Sequence, residues 1–109
     1  FWVILATLQH NITTVLTQNL LKAGDNVNKA KYISIANVGS ATAYVDLLFN
    51  NKTNNYYLLK EGIIPVGSTL TLNQDDNIAF DNTVNGFSLR IQVDNGSTSA
   101  VPVDVIITR

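Results

Sequence analysis

Apolar and polar residues alternate with a period of two along most of the chain. The clearest runs are 87–93 and 101–107, in which a large apolar side chain occupies every second position. This spacing puts one set of side chains on a buried face and the other set toward solvent, as in a β-strand, whereas helical periodicity is hard to find. The pattern therefore predicts an all-β chain.

Turn residues suggest how neighbouring runs are connected. Asp94-Asn95-Gly96-Ser97 separates the two clearest runs, and an Asn-Gly pair tolerates positive φ, so we predict that these runs form a hairpin. The Asn-rich stretch 50–55 similarly separates an alternating run at 43–49 from 56–59 and predicts a second hairpin.

The remaining strands are shorter. We predict them at 12–16, 32–37, 69–72 and 77–80, with a longer loop at 20–31 and an edge or corner at Pro65, which has no N–H to donate. Strands that recur about every 8 to 12 residues are typical of a single antiparallel β-sandwich or jelly-roll-like domain of about eight strands. Within this one domain, residues 1–30 form an N-terminal arm with strands and a loop, and 31–109 form the sandwich body.

The run at 1–8 is apolar except for Thr7. It is too short to cross a bilayer and no basic residue precedes it, so we expect neither a membrane helix nor a signal peptide. Its composition suits a strand buried on both faces, which leaves two interpretations open: pairing within its own domain, or addition to a neighbouring subunit. The candidate subunit-interface residues are Phe1, Trp2, Ile4, Leu5 and Leu8.

Composition narrows the possible partners. Charged residues make up 14% of the 109 residues, against roughly 25% in average proteins, and the formal net charge is −1. Such a chain has no field to attract nucleic acid, and copies of it repel one another little, so we expect a homo-oligomer and no nucleic-acid partner. The sequence has no cysteine, which excludes disulfides, zinc-thiolate sites and a thiol nucleophile.

Catalytic and metal-binding patterns are weak. The single histidine, His10, has no nearby Ser or second carboxylate with which to form a catalytic relay, and it is predicted to be a surface or interface residue. A set of acidic and amide side chains offers oxygen ligands, but its spacing does not match a calcium loop and favours a solvated turn. The set comprises Asp75, Asp76 and Asp81, with Asn73, Asn77 and Asn82. We therefore predict a non-enzymatic protein without a metal or cofactor.

Tyrosines supply the candidate surface-binding residues. Tyr44, Tyr56 and Tyr57 could stack on sugar rings, which makes a carbohydrate-binding or adhesin module one alternative function. Tyr56 and Tyr57 are adjacent, so in a strand they point to opposite faces and only one of them can join a given platform.

Residues 31–109 contain three segments that carry a resemblance to a known family. They read ISIANVGSATAYVDLLF, then NNYYLLKEGIIPVGSTLTL, then FSLRIQV followed by VPVDVIITR. In these segments the chain resembles the small β-sandwich virion proteins of tailed phages, particularly capsid decoration or cement proteins and related head and tail surface proteins. The first thirty residues lie outside the resemblance.

The resemblance implies a structural role without catalytic residues. The chain would be located in the virion, bind capsid or other virion proteins, stabilise the shell and form a closed homo-oligomer. A further alternative is a bacterial or archaeal surface-filament subunit that assembles through its N-terminal strand.

Overall fold

A computed structural model of the chain describes residues 7–27 and 29–108, without the side chains of residues 7, 29 and 73–79. The described residues form eight β-strands and no helix. The strands are β1 (Thr7–Ile12), β2 (Gln18–Leu21), β3 (Lys29–Asn37), β4 (Ala43–Asn50), β5 (Asn55–Ile64), β6 (Thr69–Ala79), β7 (Ser88–Asp94) and β8 (Val103–Thr108).

The strands form two four-stranded antiparallel sheets, in the orders β1-β8-β3-β6 and β2-β7-β4-β5. Strand β4 pairs with β5, β3 with β6, β2 with β7 and β1 with β8, so the chain resembles one long hairpin wound into two sheets. This nesting of strand pairs is the topology of an eight-stranded jelly roll. The predicted fold, a single all-β sandwich of eight strands, is confirmed.

The inner faces of the two sheets form one core. The alternation in the last two runs assigns their buried faces correctly, because every second residue of β7 and β8 is fully buried between the sheets. Side chains with no exposed surface in these strands and their neighbours include Ile33, Ile35, Val45, Leu47, Leu89, Ile91, Val93, Val103, Val105 and Ile107.

The predicted hairpin between the last two runs is wrong. Strand β7 pairs with β2 and β4 in one sheet, whereas β8 pairs with β1 and β3 in the other. The Asn-Gly turn does form, with Gly96 at φ 88° and the Asn95 N–H donating to Ser99 O at 3.0 Å. The chain then continues across to the opposite sheet, where the apolar face of β8 packs against that of β7 through the core.

Other local predictions have mixed outcomes. The hairpin around residues 50–55 is confirmed, with Asn50 opposite Asn55. Pro65 does mark a corner: its carbonyl accepts the Ser68 N–H at 3.1 Å as the chain changes sheets.

The strand predicted at 12–16 is wrong, because β1 ends at Ile12 and Leu16 is 70% exposed. Residues 18–21, predicted to fall partly in a loop, form β2, and the strands predicted at 69–72 and 77–80 lie on β6, with Phe80 just beyond its end.

Loops gather at the two ends of the sandwich. Four loops, those after β1, β3, β5 and β7, lie at what we call the four-loop end, and those after β2, β4 and β6 lie at the three-loop end. At the four-loop end, buried Asn37 donates from Nδ2 to Ala41 O at 2.7 Å and to Ile64 O at 2.9 Å, while its Oδ1 accepts the Gly39 N–H at 2.9 Å. This asparagine joins the β3–β4 loop to the end of β5.

Candidate interaction surfaces

Large apolar side chains are exposed mainly along β5, an edge strand of its sheet. Five of the nine such side chains among the described residues lie on β5 or in the turn after it. We call this set the β5 edge: Tyr56 (51% exposed), Tyr57 (47%), Leu58 (39%), Ile63 (60%) and Val66 (53%). Exposed apolar side chains grouped in this way are typical of a surface that binds a partner.

An irregularity interrupts the backbone of this edge. Glu61 has φ 53°, its N–H donates to Asp46 Oδ1 at 2.7 Å, and the pairing register shifts between Val45 and Leu47. Bulges of this kind twist an edge strand and hinder continuous strand pairing with another chain. The β5 edge therefore offers apolar side chains to a partner rather than a regular backbone ladder.

Tyr57 lies beside a cation on this surface. Lys60 Nζ is 4.6 Å from the centre of the Tyr57 ring and 3.3 Å from Asp46 Oδ2. The hydrogen bond with Asp46 is the main cause that raises the pKa of Lys60 above 10.5. Because the ammonium group already occupies one face of the ring, that face of Tyr57 is not free to stack on a sugar.

Tyr56 of the β5 edge also lines an aromatic groove at the three-loop end. The groove has a volume of about 320 Å³ and is lined by Phe49, Tyr56, Phe80 and Phe87. The Phe49 ring centre lies 4.6 Å from that of Phe80 and 6.0 Å from that of Phe87, and the Tyr56 and Phe87 ring centres are also 6.0 Å apart. Tyr56 and Tyr57 thus lie in different surroundings, as expected for neighbours in a strand.

Tyr44 lines a further pocket, of about 270 Å³. The lining residues are Tyr44, Asp46, Glu61, Asp94, Gly96 and Ser97. A Cβ added at Gly96 would lie 3.0 Å from Tyr44 Cε1, a tight contact that would require the ring to shift slightly. The three tyrosines proposed for surface binding therefore do not form one platform.

A larger groove, about 480 Å³, lies between β1 and β2. Leu8 and His10 face inward at its wall, opposite buried Ile107 and Val105 in the pairing of β1 with β8. Leu8 also packs against the core, and it is the only predicted interface residue within the described part of the chain. Phe1, Trp2, Ile4 and Leu5 lie outside the described residues.

Acidic residues do not gather into a metal site in the part of the chain that the structure describes: no group of three or more His, Cys, Asp or Glu side chains could hold an ion there. Asp81 instead accepts hydrogen bonds at Oδ1 from Thr83 Oγ1 at 2.6 Å and from the Thr83 N–H at 3.0 Å. These bonds lower the pKa of Asp81 below 3.8, the side-chain bond being the larger cause. The turn predicted at Asp75 and Asp76 is wrong, because both residues lie on β6; their side chains are not described.

Asn82, next to Asp81, corrects the expectation of a solvated turn. Its side chain has no exposed surface, and its Nδ2 donates to Lys22 O at 2.9 Å and to Phe87 O at 2.8 Å. The stretch predicted to be a solvated turn therefore contains a buried residue that joins two loops.

The described part of the chain contains no helix that is long and apolar enough to cross a membrane.

Comparisons with known proteins bear on the fold alone. No family model matches the chain, and no curated protein matches it. Among solved structures, the chain is similar to the crystal structure of PirA, with a TM-score of 0.56 over 99% of this chain and 97% of that one. The two sequences are 8% identical, so the likeness shows a shared β-sandwich architecture.

Proposed function

We propose that the chain is a non-enzymatic structural subunit of a tailed-phage virion, of the capsid decoration or cement type. The observation that carries the proposal is the β5 edge, on which exposed apolar side chains are concentrated. Jelly rolls of this topology serve as capsid and lectin domains, and an exposed apolar group on such a scaffold is suited to docking. The resemblance of residues 31–109 to decoration proteins directs the proposal to the virion.

The chemistry of the β5 edge suits attachment to a repeated protein surface. The charged groups beside its apolar side chains are the Lys60–Asp46 ion pair and the exposed Glu61, so binding would desolvate few charges. Contacts of modest area are sufficient when many copies bind one lattice, because each occupied site raises the effective concentration at the next. The expected partner is therefore a shell protein that presents an apolar patch at each lattice position.

The test compares phage particles that lack the chain with the same particles after purified chain is added. We expect saturable binding and a higher temperature of shell disruption. Ile63→Lys places a charge in the β5 edge and should weaken binding at least tenfold. Leu16→Lys is the matched control, because Leu16 is similarly exposed but lies in the β1–β2 loop, at the four-loop end. The proposal would be contradicted if the added chain left the temperature of shell disruption unchanged, or if Ile63→Lys and Leu16→Lys weakened binding equally.

The Tyr44 pocket supports a second candidate, a carbohydrate-binding or adhesin module. A tyrosine ring beside the carboxylates of Asp46, Glu61 and Asp94 combines an apolar face with hydrogen-bond acceptors, as sugar sites do. On a glycan array, Tyr44→Ala should abolish binding, whereas Tyr57→Ala should preserve it because Lys60 lies over that ring. An array without signal for the unmodified chain would dismiss this candidate.

A further inference from the structure

The groove between β1 and β2 lies on the side of the sandwich opposite β5. Strands β1 and β2 are the edge strands of different sheets, and each is paired on one side only among the described residues. The groove walls and floor, which we call the β1–β2 groove, comprise Leu8, Gln9, His10, Leu20, Leu21, Asp25 and Val27.

The floor of the β1–β2 groove consists of core residues. Leu20 is 4% exposed, Leu21 2% and Val27 6%, so an apolar chain placed above them would continue the core rather than cover a polar surface. The edges of β1 and β2 that have no neighbouring strand among the described residues present backbone N–H and C=O groups with which an added strand can pair. Apolar side chains and backbone partners together are the requirements for strand addition.

The sequence itself contains a segment of matching chemistry. Phe1–Ala6 reads FWVILA, without a polar residue, and joins β1 directly at Thr7. Six residues in extended conformation span about 20 Å, which is as long as β1 itself. The segment joins β1 at the end of the groove that Leu8 lines.

The same sequence argues against insertion into the chain's own groove. To return there the chain would have to reverse direction immediately before Thr7, and reversals use Gly, Pro, Asn, Asp or Ser. None of these occurs between Phe1 and Leu8. We propose that Phe1–Ala6 of one copy binds in the β1–β2 groove of a second copy by strand addition. This association is independent of the β5 edge and of any virion partner.

Trp2 reports on the proposed contact because it is the only tryptophan in the chain. The first experiment records light scattering and tryptophan emission of the full chain over a range of concentrations. We expect an oligomer with blue-shifted emission that, on dilution, becomes a monomer with red-shifted emission, both changes having one midpoint. A monomer at every concentration would overturn the proposal, whether its emission is blue-shifted, as for insertion in its own groove, or red-shifted.

Variants of the full chain then locate the contact. Leu8→Gln introduces a polar group into the groove and should raise the dissociation constant of the oligomer at least tenfold. The control is Ile106→Gln, which makes the same kind of change on the outer face of the same sheet, where Ile106 is 40% exposed and lies opposite Gln9. This variant should leave the dissociation constant unchanged. Equal effects of the two variants would overturn the proposal.

Two further measurements keep the outcome clear. If the melting curve shows that Leu8→Gln is unfolded, His10→Lys replaces it, since His10 lines the same groove. If instead Ile63→Lys dissociates the oligomer and the groove variants do not, the β5 edge is the interface and the groove proposal is wrong. Failure of the phage-binding test leaves these results unaffected, so the two proposals can fail separately.

Discussion

Asn82 Oδ1 accepts a hydrogen bond from the N–H of Val27 at 3.0 Å, across 55 residues of sequence. With its two donated bonds to Lys22 O and Phe87 O, the side chain joins the loop after β2 to the loop after β6. These loops supply residues to two surfaces: Val27 lies in the β1–β2 groove and Phe87 in the aromatic groove. One buried amide therefore sets the position of both surfaces at the three-loop end.

Asn82→Asp should destabilise the fold strongly. The aspartate would aim carboxylate oxygens at the carbonyls of Lys22 and Phe87, where Asn82 now donates N–H groups. Losing these bonds and burying a charge should lower the free energy of unfolding by about 3 kcal/mol or more. Urea denaturation measures the loss. The control is Asn85→Asp, at an exposed position in the same loop, which should change the free energy of unfolding by less than about 0.5 kcal/mol. Similar losses in both variants would show that the buried amide is not decisive.

Asn37→Ala should have a comparable effect at the four-loop end. The substitution removes the two bonds donated to Ala41 O and Ile64 O and leaves the Gly39 N–H without its acceptor. A loss of about 2 to 4 kcal/mol is expected, from the unsatisfied backbone groups and the space left behind. The control is Asn54→Ala, whose side chain is exposed. Unfolding curves that coincide for the two variants would contradict this role of Asn37.

The strands of the core were predictable because their signal is local. In β7 and β8 the alternation of apolar and polar residues reflects directly which side chains face the opposite sheet. Their pairing was not predictable in the same way. An Asn-Gly turn is compatible with a hairpin and also with a crossing between sheets, and which of the two forms depends on partners distant in sequence, namely β2 and β4 for β7, and β1 and β3 for β8.

The candidate surfaces were only partly predictable for a related reason. An asparagine in a polar stretch has the same local signal whether it is solvated or buried, so Asn37 and Asn82 could not be distinguished from the other asparagines. In β5 the run Tyr56-Tyr57-Leu58-Leu59 is apolar at each position and carries no alternation. Only the fold shows that Leu59 packs against the core while the three residues before it are exposed.

Gly86→Ala should destabilise the loop that carries Asn82. A Cβ at Gly86 would overlap the carbonyl oxygen of Asp81, which accepts the Phe87 N–H at 2.6 Å, so the backbone would have to move. We expect a loss of about 2 kcal/mol or more in the free energy of unfolding. In contrast, Gly67→Ala meets no atom within 4 Å and incurs only the strain of its φ of 75°, about 1 kcal/mol. If Gly86→Ala lowers the melting temperature less than Gly67→Ala does, the close approach of Gly86 to the Asp81 carbonyl oxygen is contradicted.

Asp81 should make the fold sensitive to acid. Its pKa is lowered below 3.8 by the Thr83 hydrogen bonds, so its contribution to stability is present above pH 3.8 and disappears as the pH falls through the lowered folded-state value. The carbon NMR titration of the Asp81 carboxyl group should have its midpoint below 3.8. Thr83→Val removes the hydroxyl donor and should move that midpoint upward, while Thr98→Val, in the exposed β7–β8 loop, should not. An Asp81 midpoint that is the same in all three proteins would refute the assignment of Thr83 as the cause.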